Sequence, residues 1–198
     1  MPRTKSIGDD EVLAGVHRLV QRIGPARFTL AAAGLEVGLS PSTLVQRFGS
    51  RRALLLAADR WAVERWVDGM DEPPAGGPAL DRLVAGLVRT VDDGTTAEEM
   101  AHSVSLLQVA LADPEFHRST RDGAERFRAK IVERLRQAAD GGELRRGTDL
   151  GALAELVEIA YHGAMISWAI HREGTLAASL RARFTQLLRP YRAGGAPA

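Results

Sequence analysis

A chain of 198 residues, 45% of them hydrophobic, has room for one compact domain or for a small domain fused to a larger one. It contains no cysteine, which excludes disulfides and thiolate metal sites, and no apolar run approaches the roughly 18 residues that a membrane span needs. The net charge of +1 is unevenly spread: residues 1–65 hold ten Lys/Arg against six Asp/Glu, a net of +4, and the remainder holds sixteen against nineteen, a net of −3. A basic head on a mildly acidic body suits a protein whose head meets a polyanion, although chance scatter of surface charge gives the same count.

Met1 to Ser6 leads into charged residues, so no signal peptide is expected, and the missing cysteines fit a cytoplasmic location. Alternating strand patterns are nearly absent and helical periodicity recurs, which predicts an all-α fold. Asp9 or Asp10 is placed to cap a first helix carrying Val12, Leu13, Val16, Leu19, Val20 and Ile23, closed by Gly24 and Pro25. Thr29 caps a short second helix, Leu30 to Val37, which Gly38 breaks. Ser40 caps a third, with Pro41 at its first position, running to about Phe48. Gly49 and Ser50 lead into a long fourth helix from Arg51 to about Gly69, followed by a linker from Asp71 to Pro78. Further helices are predicted near 79–92, 96–111, 114–139 with a break near Gly123, 149–172 capped by Thr148, and 175–189 ended by Pro190. The expected domains are a DNA-binding head over 1–50, a helical body over 51–190, and a disordered tail over 191–198.

Two short helices joined by a glycine turn, with a supporting helix before them, make a helix-turn-helix head. The N-terminal end of a recognition helix enters the major groove, so it must expose small polar side chains. Ser40, Ser42, Thr43 and Gln46 supply these, while Leu44 and Phe48 are spaced to be buried and Leu39 packs the turn. Thr29 offers a capped helix start to a phosphate. Arg51 and Arg52 begin the fourth helix, where the macrodipole disfavours cations; a phosphate there resolves the mismatch, and two solvated arginines cost little without one.

The stretch from Phe28 to Leu56, FTLAAAGLEVGLSPSTLVQRFGSRRALLL, resembles the signature of the tetracycline-repressor (TetR) family through Thr29, Gly38, Leu39, Ser40, Leu44, Phe48 and, conservatively, Arg51. Val45 replaces the family's frequent tyrosine and cannot hydrogen-bond a phosphate, so that contact is either lost or moved to Gln46 or Arg47. Ala33 and Gly34 replace its isoleucine-alanine pair, and Gly34 weakens the second helix by about 1 kcal/mol relative to alanine.

The resemblance implies a ligand-responsive repressor that binds double-stranded operator DNA as a homodimer. It implies dimerisation through the last two helices, and the broad apolar face of the first of these supports that independently. Leu153, Val157, Tyr161, Ala164, Leu180 and Phe184 are the interface candidates, with completion of the body's own core as the alternative. The resemblance further implies an effector pocket in the body. Its candidates are Trp61, His102, Leu106, Phe127, Tyr161, Met165 and Trp168; side chains of this kind at helical spacing are more often plain core than ligand wall, but together they point to an apolar small molecule.

No catalytic residue, cofactor or metal site is expected. The histidines His17, His102, His117, His162 and His171 form no i, i+4 pair, and no nucleophile motif or P-loop occurs. Two alternatives stay open: a regulator of the same fold with no small-molecule ligand, and a helical small-molecule binder that has lost DNA binding.

Overall fold

The computed structural model describes residues 7–71, 76–91 and 94–194. Part of the predicted linker (72–75) and the end of the predicted tail (195–198) lie outside the described residues. Nine α-helices are present among those described: α1 Asp9–Ile23, α2 Leu30–Val37, α3 Pro41–Phe48, α4 Arg51–Asp68, α5 Ala79–Arg89, α6 Ala97–Ala112, α7 Pro114–Asp140, α8 Leu150–His171 and α9 Leu176–Leu188. The all-α fold is as the sequence predicts.

Most helix starts follow local capping chemistry. The Thr29 hydroxyl accepts from the Ala32 amide at 3.0 Å, the Ser40 hydroxyl from Thr43 at 3.1 Å, and the Ser50 hydroxyl from Ala53 at 3.1 Å. Three expectations are corrected. Gly8, not Asp9 or Asp10, precedes α1; the two aspartates fall in its first turn, where negative charge suits the macrodipole. Asp149 caps α8 through the amides of Gly151 and Ala152, while the Thr148 hydroxyl donates to the Arg145 carbonyl. α7 runs unbroken through Gly123, which is buried, so packing offsets the modest helix cost of a glycine.

The chain divides into two compact units. The first takes the residues up to Arg65 together with Glu98–Arg121; the second takes Trp66–Ala97 and the residues from Asp122 onward. The first unit's core joins Val12, Val16, Leu19 and Val20 of α1, Phe28, Ala33 and Leu44 of the helix-turn-helix, and Leu54, Leu55 and Ala58 of α4 to Ala110 and Phe116. α6 and the start of α7 therefore complete the core of the unit that holds the helix-turn-helix. Gly15 allows α2 to come close to α1, because a Cβ there would lie 2.6 Å from Val37 Cγ1.

In the second unit α9 packs against α5 and α8. Leu80, Leu83, Leu87, Ile131, Leu135, Leu153, Val157 and Leu180 are all buried. α5 follows Pro78, which has no side chain able to cap it. Glu143, on the loop after α7, takes over that task by accepting from the Ala79 and Leu80 amides at 2.5 and 3.0 Å. That loop is held by an antiparallel bridge between Leu144 and Arg192 and by the Arg145 amide donating to the Tyr191 carbonyl at 2.9 Å.

Candidate nucleic-acid interface and effector residues

α3 ends one side of a tight turn. Gly38 takes the left-handed conformation (φ +69°) that closes α2, and the Leu39 amide returns to the Gly34 carbonyl at 3.0 Å. The expected weakness of Gly34 has a counterpart in packing. The Leu39 carbonyl oxygen sits 2.5 Å from where a Gly34 Cβ would be, so the turn has settled onto the bare backbone.

Leu44 is fully buried and Phe48 half-buried, which turns Ser42, Val45 and Gln46 outward. The hydroxyls of Ser42 and Thr43 both lie 2.8 Å from Ser40 Oγ. Ser40 has one proton and two lone pairs, and one lone pair is used by the Thr43 amide. One of the two neighbouring hydroxyls must therefore donate to Ser40 and the other accept from it. The accepting hydroxyl keeps its own proton for an outside partner.

The arginines near this surface divide by partner. Arg47 is ion-paired with Asp9 and donates from Nη1 to the Ile7 carbonyl at 3.0 Å. Arg51 donates from Nε to the Phe28 carbonyl at 2.7 Å and from Nη2 to the Pro25 carbonyl at 3.0 Å, with its guanidinium over the Phe28 ring. Arg52 grips both Asp113 oxygens and Glu115, and this holds the Asp113 carboxyl below the usual carboxylate range. Arg27 is exposed beside the exposed Thr29 and has no ion-pair partner among the described residues. The motif reading overlooked it; its place on the loop directly before the Thr29 cap was the available signal.

The effector candidates fall in different units. Trp61, His102 and Leu106 belong to the first, and Phe127, Tyr161, Met165 and Trp168 to the second. His102 donates from Nδ1 to the Gln21 carbonyl at 2.7 Å, since a carbonyl can only accept. Leu106 packs against the first unit's core. Trp61 lies beside His17, ring centroids 6.1 Å apart, and its buried Nε1 has no partner among the described residues.

In the second unit Phe127 stacks on Trp66 with centroids 4.2 Å apart, and Tyr161 meets Phe127 at 5.1 Å and Phe184 at 6.4 Å. Burial raises the Tyr161 pKa. Trp168 is buried and donates its indole N–H to the Gly174 carbonyl at 3.1 Å, and Met165 is half-buried. Sequence reasoning missed Asp59. It is 8% exposed, its Oδ2 has no partner among the described residues, and burial pushes its pKa up to about 6.

The interface candidates lie inside their own unit. Leu153, Val157, Tyr161, Ala164, Leu180 and Phe184 are all buried there. α8 is apolar on a second side, however: Leu156, Ile159, Ile166 and Ile170 are 40–70% exposed, with exposed Gly163 between them. Every exposed large hydrophobic residue in the described part of the second unit is one of these four.

A capped recognition helix after a tight turn, with a larger helical region following, defines a helix-turn-helix regulator fold. The fold is shared with a putative TetR-family regulator from Rhodococcus sp. (19% identity, 91% of this chain and 96% of that one, TM-score 0.73). It is also shared with a TetR regulator from Haloarcula marismortui (18%, 93% and 98%, TM-score 0.78). A third example is a putative regulator from Saccharomonospora viridis in complex with choline (20%, 93% and 97%, TM-score 0.74). No curated protein matches the sequence. Residues 79–194 match the family described as BetI-type transcriptional repressor, C-terminal, and the chain belongs to that family, among the TetR transcriptional regulators.

Proposed function

We propose that this regulator represses transcription as a homodimer whose grip on operator DNA is loosened by a small molecule. One observation carries the DNA-binding part: α3 presents Ser42, Thr43 and Gln46 from a Ser40-capped N-terminus, with one hydroxyl proton left to give. Gln46 suits the paired donor and acceptor edge of adenine. The exposed Thr29 end of α2, with Arg27 beside it, suits a phosphate.

One recognition helix makes too few contacts for a specific site, and two copies about 34–36 Å apart fit successive major grooves. The exposed stripe of α8 supports pairing. Leu156, Ile159, Gly163, Ile166 and Ile170 repeat at three and four residues, the spacing of a helix–helix seam, and α9 exposes the small Ala178, Ala182 and Thr185.

Effector response is supported by the unpartnered Asp59 Oδ2 and Trp61 Nε1, since a buried polar atom left without a hydrogen bond is costly. The Asp59 oxygen accepts and the Trp61 N–H donates, so the effector we infer is largely apolar with one cationic or N–H group and one acceptor atom. The choline of the Saccharomonospora viridis complex is a cation of that kind. Selection of duplexes from a random pool, followed by titration of the selected complex with hydrophobic amines, tests the whole reading. Release by an amine is expected. A selected duplex that no amine releases favours a regulator without a small-molecule ligand, and failure to enrich any sequence defeats the DNA reading.

A further inference from the structure

The loop between α1 and α2 is gripped from two sides. Arg51, at the start of α4, holds the Pro25 and Phe28 carbonyls. His102, on α6, holds the Gln21 carbonyl in the last turn of α1. The imidazole edge also lies directly on Gly24, where a Cβ would come within 2.8 Å of Cδ2 and 3.3 Å of Nε2. Gly24 itself sits at φ +79°, a conformation that side chains resist, so the residue that ends α1 is required twice over to be glycine. Arg27, the exposed cation, stands within this gripped loop between the two held carbonyls, and Thr29 caps the start of α2 just past them.

We propose that His102 and Arg51 are positioning residues for DNA binding: together they clamp the α1–α2 loop and so fix where Arg27 and the N-terminus of α2 meet the phosphate backbone. The proposal rests on the DNA-binding reading and assigns Arg51 a role different from direct phosphate contact. Two of its five N–H donors are spent on main-chain carbonyls, and a planar fork that spans two carbonyls fixes a loop as lysine's point charge could not. His102 gives the loop a second tether that comes from outside the helix-turn-helix. It stands 81 residues beyond Gln21 in the chain. α6 is fixed to the same unit again at its far end, where Asp113 takes the Arg52 guanidinium. A shift of α6 therefore reaches the α1–α2 loop directly, without passing through α4.

Salt dependence separates a positioning role from direct binding to a phosphate. Removing one cation that neutralises a phosphate lowers the slope of log K against log salt by about one unit, whereas a misplaced loop weakens binding with less change in slope than that. The probe is a duplex of about 30 base pairs, long enough for two half-sites, selected from a random pool by the unmutated protein. His102→Leu should bind it about tenfold more weakly, with the parent's slope. His102→Asn keeps an N–H donor of similar reach and should recover most of that loss. Arg51→Gln should also weaken binding at constant slope, and it carries the test if His102→Leu does not fold. Arg27→Ala should lower the slope by about two units on this two-half-site duplex, about one for each protomer. The clamp is overturned if His102→Leu binds as the parent does, if His102→Asn fails to recover affinity at equal thermal stability, or if Arg51→Gln lowers the slope by about one unit for each protomer. Failure of the unmutated protein to select any duplex would remove the DNA reading itself, and is distinguishable because it precedes every variant.

Discussion

Trp66 donates its indole N–H to the Tyr161 hydroxyl at 3.1 Å, the first of a run of hydrogen bonds that all point one way. The Thr90 hydroxyl donates to the Leu87 carbonyl at 2.6 Å, so the Tyr161 hydroxyl, 2.6 Å from Thr90, must donate to it. A one-way relay from Trp66 through Tyr161 and Thr90 thus joins α4, α8 and the end of α5. Tyr161→Phe removes the middle member while keeping the ring. It should cost about 1–3 kcal/mol, because the Trp66 N–H loses its acceptor, and denaturant unfolding measures it. An unchanged midpoint would show that the relay contributes nothing to stability.

The outer stripe of α8 gives a separate expectation for assembly. Ile166 is 47% exposed, so Ile166→Glu should leave the fold intact and yield a monomer at micromolar concentration. Ala164, two positions away, is buried in its own unit, so Ala164→Glu should lower the melting temperature instead. Sedimentation equilibrium paired with a thermal melt distinguishes the two outcomes. A dimeric Ile166→Glu protein would place the interface elsewhere.

Gln46 is exposed on α3, with no hydrogen-bond partner among the described residues. Gln46→Ala should relax sequence preference at one position of each half-site, costing about 1–3 kcal/mol on the preferred duplex and little on duplexes already altered there. Competition binding across single-position variants reads this directly. Equal losses on every duplex would assign Gln46 to the backbone.

Asp59 makes stability depend on pH. Its folded pKa of about 6 exceeds the ordinary aspartate value, so the folded state holds the proton more tightly. The associated stability is fully present below about pH 4 and is lost as pH rises through about 6, amounting to about 2–3 kcal/mol. Asp59→Asn cannot ionise, so it should gain on the parent as pH rises. Urea unfolding at about pH 4.5 and about pH 7.5 tests this, and a gap between the two proteins that stays constant would show that Asp59 does not titrate in this window.

How much of this the sequence reveals depends on the range of each interaction. The Thr29 and Ser40 caps act over three residues, so they are legible, and the head's helices follow from them. Asp149 beside Thr148 shows the limit: two capping residues in a row leave the choice to loop geometry. Periodicity shows that α8 is apolar on two sides, but not which side faces inward. Leu153, Val157 and Tyr161 alternate with Leu156 and Ile159, and only the packing of α9 decides between them. The partners of His102 and Arg52 lie 81 and 61 residues away, so nothing near either residue announces them.

Ala110 and Phe116 complete the core that Val12, Phe28 and Leu44 begin, and the order of synthesis gives that arrangement a cost in time. A ribosome finishes α4 about 50 residues before it makes Phe116, a delay of roughly 3–10 s at typical elongation rates. During that interval the nascent helix-turn-helix has its own helices but lacks the last two side chains that cover their inner faces. Apolar surface on α1 and α4 stays open to water, to chaperones and to neighbouring nascent chains, so the helix-turn-helix is made early and becomes fully structured late.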